Sequence, residues 1–121
     1  MTASGRRTAA QASGSEAEER AARFLAAQGL AIVARNYRTR MGEIDLIARD
    51  GPILVFVEVR LRASEACGGA AASIGPRKQQ RIAAAAQQYL ARLAHEPPCR
   101  FDVVTLEERV PTWMRGAFEL A

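Results

Sequence analysis

Residues 42 to 60, GEIDLIARDGPILVFVEVR, constrain this chain more than any other stretch. Two runs rich in Ile, Leu, Val and Phe flank a turn signal, RDGP, and read as a hairpin of buried strands. Yet the same runs carry Glu43, Asp45, Glu58 and Arg60. A buried charge without a partner costs several kcal/mol. These groups must therefore share partners, meet a cation or open onto a wet cleft.

The rest of the chain supplies what such a hairpin needs to be covered. Ser15, with Glu18 three residues later, reads as a capping box opening a helix that runs to Gln28, and Gly29 suits its left-handed stop. Residues 30 to 37, LAIVARNY, read as a first strand, GEIDLIA as a second and ILVFVEVRL as a third, together an antiparallel meander. RASEACGGAAASIG, residues 62 to 75, has no periodicity and little to bury, and is expected to be mobile without a nucleic-acid partner. Pro76 opens a second helix, PRKQQRIAAAAQQYLARLA, with Ile82, Ala85, Ala86, Tyr89 and Leu93 on one face. RFDVVTL reads as a fourth strand, and the helix joining it to the third permits a parallel pair. The tail TWMRGAFEL reads as a short helix packing back through Trp113 and Phe118. The resulting fold class is α/β, a mixed sheet flanked by helices.

Alternation along a strand decides where the charges point. It puts Glu43, Asp45 and Ile47 on one face, and Leu54, Phe56, Glu58 and Arg60 on one face of the next strand. A turn centred on Asp50 and Gly51 pairs Phe56 with Asp45 and Glu58 with Glu43, so the polar groups share a side. Two carboxylates side by side raise one pKa unless a cation lies between them, and Mg²⁺ or Mn²⁺ suits an all-oxygen site completed by water and phosphate. Asp45 and Glu58 are the candidate metal ligands, and Arg60 the cation that meets phosphate. Glu43 reads as the partner of Arg60 or of another Arg. Glu18 falls with Ala21, Ala22 and Leu25 on the apolar face of the first helix, so it either caps the helix or points at the sheet.

Arg77, Lys78 and Arg81 crowd the start of the second helix, the wrong end for cations unless an anion binds there. They are the candidate nucleic-acid contacts. The net charge of +4 on 121 residues favours a polyanionic partner and a single domain, residues 15 to 121, preceded by a disordered basic arm, residues 1 to 14. Cys67 and Cys99 have no metal-ligand or disulfide spacing, and no apolar run suits a signal peptide or a membrane span. A cytoplasmic protein without a membrane partner is expected. Asp102 either bonds a neighbouring loop or supports the site.

EERAARFLAAQGLAIVARNYR, GEIDLIARDG, LVFVEVRLR, GGAAASIGPRKQQRI and CRFDVV occur in the order expected of the YraN family, which this chain resembles over nearly everything past the first dozen residues. The resemblance implies a restriction-endonuclease-like fold related to Holliday-junction resolvases, and leaves a homodimer open. It also implies that Asp45, Glu58 and Arg60 occupy the acid and E-x-K positions of a nuclease motif, with Glu18 as the acid of the first helix. Arg60 stands where that motif prefers Lys, and Ala17 where the family often has Gly. Two readings follow: a metal-dependent endonuclease in which metal-activated water attacks a DNA phosphodiester, or a nucleic-acid-binding protein that keeps the fold without turnover. A weaker third is an interaction module whose acids only form ion pairs.

Overall fold

The hairpin at the centre of the sequence is also the centre of the molecule. The structure, a computed structural model, describes residues 9–62 and 74–119. Strands β1 (Ala31–Arg38), β2 (Glu43–Asp50) and β3 (Ile53–Arg60) form an antiparallel meander. Strand β4 (Cys99–Thr105) runs parallel to β3, from Leu54 opposite Cys99 to Arg60 opposite Thr105. Between β3 and β4 the chain passes through helix α2 (Pro76–Leu90), as a parallel pair requires. Strand β5 (Thr112–Phe118) pairs antiparallel with β4 and completes a five-stranded sheet in the order β1-β2-β3-β4-β5.

Helix α1 (Ala9–Ala27) and α2 cover different faces of this sheet. Ala17, Ala21, Ala22 and Leu25 of α1 pack with Leu46, Ala48, Val55, Val57 and Val104. Ile82, Ala85, Ala86 and Leu90 of α2 pack with Ile47, Leu54, Phe56, Phe101 and Val103. Tyr89 stands edge-on to Phe56, with ring centroids 6.2 Å apart, so it belongs to this core. Helix α1 ends as Gly29 predicts. Gly29 adopts φ +102, its N–H bonds the Ala26 carbonyl, and the Leu30 N–H reaches back to the Leu25 carbonyl.

The start of α1 differs from expectation. The helix is already formed at Ala9, so Ser15 lies inside it and no capping box forms there. Ala9, Ala10 and Ala12 favour helix strongly enough to carry it through Gly14 and Ser15. Glu18 is thereby released from a capping role. The glycine- and alanine-rich stretch expected to be mobile falls on residues 63–73, outside the described residues, as do residues 1–8 of the expected basic arm.

The tail is a strand, not a helix, and Asp102 explains why. This fully buried carboxylate accepts hydrogen bonds from Trp113 Nε1 and the Gly116 backbone N–H, both at 2.9 Å, and from Arg100 Nε at 3.0 Å. The β4–β5 register shifts between Phe101 and Val103, where Gly116 takes φ +60. A helical tail would leave a buried charge without these donors. Trp113 and Phe118 do pack back, edge-on to Phe24 and stacked on Phe101 respectively.

Candidate active site

Strand register brings the acids together. Asp50 pairs with Ile53 across Gly51 and Pro52, with Gly51 at φ +62, and the ladder ends at Leu46 opposite Val57. The turn is therefore centred one residue later than expected. The pairing of Phe56 with Asp45 and of Glu58 with Glu43 does not occur: Phe56 lies opposite Ile47, and the same register carried one step past the ladder sets Asp45 against Glu58. A slip of two residues preserves the faces, so the acids still meet. Strict alternation fails beside them. Ile44 packs in the same core as Ile47, and Asp45 Oδ2 takes the Val59 backbone N–H at 2.8 Å in place of a ladder bond.

Glu18, Asp45, Glu58 and Arg60 line one cavity of about 440 Å³, with Ala17, Val59 and Lys78. Burial first, and then the Glu58 charge, push the Asp45 carboxyl up to about 8, against the pull of the Val59 N–H. Asp45 thus keeps its proton near neutral pH. Burial also raises Glu18, while a hydrogen bond from Asn36 opposes the shift. Glu58 is 6% exposed and has two cations at Oε2: Lys78 Nζ at 3.0 Å and Arg60 Nη1 at 3.7 Å.

A second cavity, of about 580 Å³, is lined by Arg38, Thr39, Gly42, Glu43, Gly75, Arg77, Lys78 and Arg81. Glu43 pairs with Arg38 at 3.5 Å rather than joining the acids, an arginine partner but not Arg60. Arg77 and Arg81 lie in this groove away from the acidic cavity. Lys78 lines both. The turn between β1 and β2 fits against α2 so closely that a Cβ on Gly42 would stand 2.4 Å from the Arg81 carbonyl oxygen. Arg81 Nε donates to the Met41 carbonyl at 3.3 Å across the same contact.

Two contacts escaped sequence reasoning. Lys78 reads there as a phosphate contact, whereas here its ammonium sits on Glu58. Asn36 reads as an ordinary strand residue. It adopts φ 51, between the pairs Arg35–Leu46 and Tyr37–Ile44, and turns its side chain to Glu18. Asn tolerates that backbone better than other residues with a Cβ, and an Asn within a strand pattern is the one signal available. Asp102 serves β5 and not the site.

Among the described residues no group of three or more His, Cys, Asp or Glu side chains is placed to hold a metal ion. Among them, too, no helix is long and apolar enough to cross a membrane.

Residues 17–106 match the model of a family described as "Uncharacterised protein family UPF0102". A UPF0102 protein of Cupriavidus taiwanensis is 57% identical over 111 residues, 90% of this chain and 84% of that protein. One from Janthinobacterium sp. (strain Marseille) is 50% identical over 113 residues, 93% of this chain and 92% of its own length. A third, from Paracidovorax citrulli, is 52% identical over 118 residues, covering 94% and 87%. The matched span runs from Ala17, at the lip of the acidic cavity, to Leu106, just past β4, and so takes in every residue of the site. The chain therefore belongs to the uncharacterised protein family UPF0102, the YraN family that its motifs resemble.

Proposed function

We propose that this protein is a divalent-metal-dependent nuclease acting on DNA. The observation that carries the reading is the acid pair Asp45–Glu58, largely buried at one cavity with Glu18 and Arg60, with the Asp45 carboxyl raised by burial and by the neighbouring Glu58 charge. The donors suit a hard cation: Asp45 and Glu58 would hold it, and water and phosphate oxygens would complete its shell, as Mg²⁺ and Mn²⁺ prefer. When bound, such an ion would lower the pKa of an attacking water and neutralise charge on the phosphate.

The chain's own groups take the remaining tasks. The Val59 N–H holds Asp45 in place. Arg60, beside Glu58, offers a permanent positive charge to the phosphate as negative charge develops on it. Glu18, steadied by Asn36, orients water at the rim. The groove of Arg38, Arg77 and Arg81 draws the strand's neighbouring phosphates.

The test incubates wild type and Glu58→Gln with branched, nicked and single-stranded DNA in Mg²⁺ and in Mn²⁺. Wild type should cleave at least one substrate only with a divalent ion, and Glu58→Gln should lose at least about 100-fold in rate. Silence of the wild type on every substrate, with salt-sensitive DNA binding retained, would sink the enzyme and leave a nucleic-acid-binding protein. Arg60 in place of lysine favours that second reading, because a guanidinium is broader than an ammonium and does not exchange its proton.

A further inference from the structure

Lys78 is the one lysine among 17 basic residues. Its ammonium lies 3.0 Å from Glu58 Oε2, and its side chain is 52% exposed while that of Glu58 is 6% exposed. The acid is therefore enclosed by the protein, while the cation reaches it from the solvent side. Lys78 lines the acidic cavity and the basic groove alike, and in the groove it faces Arg38, Arg77 and Arg81. Glu43 offsets Arg38 there, but the groove keeps a net positive charge from Arg77 and Arg81, and their repulsion favours the position on Glu58 when no phosphate is present. A phosphate backbone in the groove reverses that preference, because it neutralises the arginines and offers Lys78 an anion of its own.

We propose that Lys78 is a two-position cation that couples nucleic-acid binding to metal binding. In the free protein it occupies Glu58 and opposes the divalent ion. When a phosphate backbone enters the groove, Lys78 moves onto phosphate, and Glu58, left with only the longer 3.7 Å contact from Arg60, becomes available as a ligand. This rests on the metal-dependent reading above, and makes Lys78 a positioning residue within it. Arg60 alone is poorly suited to the exchange: it follows Glu58 by two residues on the same strand and does not line the groove. Linkage makes the effect reciprocal, so the ion must tighten nucleic-acid binding by the same factor by which the nucleic acid tightens ion binding.

The experiment measures Mn²⁺ affinity by electron paramagnetic resonance of the free ion, with and without nuclease-resistant phosphorothioate DNA, for wild type, Lys78→Gln, Lys78→Met and Lys78→Arg. Circular dichroism and melting temperature confirm that each variant is folded. Without DNA, Lys78→Gln and Lys78→Met should bind Mn²⁺ about 5-fold more tightly than wild type, and the tightening caused by DNA should shrink by a similar factor. Lys78→Arg should retain the wild-type pattern. A purely structural role for Lys78 would weaken ion binding instead. Equal or weaker Mn²⁺ binding by both uncharged variants, or undiminished coupling, overturns the role of Lys78 while leaving the metal site standing. No Mn²⁺ binding by any of the proteins, with or without DNA, overturns both.

Discussion

A carboxyl that keeps its proton near neutral pH leaves a trace in stability. Asp45 is raised from 3.8 to about 8 in the folded protein. At acid pH, below both values, folded and unfolded chains are equally protonated at this group. Between about 4 and about 8 the unfolded chain ionises while the folded one keeps its proton, so stability contributed by Asp45 falls as pH rises, and the loss levels off above the folded value. In Asp45→Asn the amide still accepts the Val59 N–H but cannot ionise. With metal chelated, this variant should be more stable than wild type at pH 8 by about 1–3 kcal/mol, and no more stable at pH 4, as urea unfolding will read. A constant difference across that range would contradict a protonated Asp45. That Asp45, Glu58 and Arg60 meet was legible because charged residues inside apolar alternating runs have few destinations, while helical spacing left Glu18 open between a cap and the cavity it lines. Lys78 on Glu58 and Asn36 on Glu18 were not, since each depends on how separate elements approach and on one positive φ.

At the scale of elements, the β1–β2 turn stands close against α2. The obstacle to a side chain at Gly42 is the Arg81 backbone carbonyl, 2.4 Å from an added Cβ, and backbone inside a helix cannot step aside cheaply. Gly42→Ala should cost about 1–3 kcal/mol, read as a lowered melting temperature, and should move α2 and with it Lys78. An unchanged melting temperature would show the contact to be looser than it stands here. The meander, α2 and the parallel β4 were legible from period, turn residues and the need for a crossover. The early start of α1 was missed because an alanine run outweighed a capping pattern. β5 was missed because what makes it a strand is a buried carboxylate on β4, which no local pattern in the tail announces.

For the whole molecule, the net charge of +4 matters less than its placement. Arg38, Arg77 and Arg81 come from β1 and α2 and line one groove. Replacing all three with Ala should weaken DNA binding across sequences and reduce the slope of log affinity against log salt by about 2–3. An unchanged slope would put the strand on another surface. Chain order bears on how this site comes to exist at all. Glu18, Asp45 and Glu58 precede Lys78 along the chain, and the parallel pairing of β3 with β4 cannot close until α2 has been made and has crossed the sheet. Meander contacts are local and close early, whereas the crossover closes a long loop and is slow. During synthesis the acids therefore leave the ribosome ahead of their lysine, and Glu58 can gain Lys78 as a partner only once α2 has docked on the sheet.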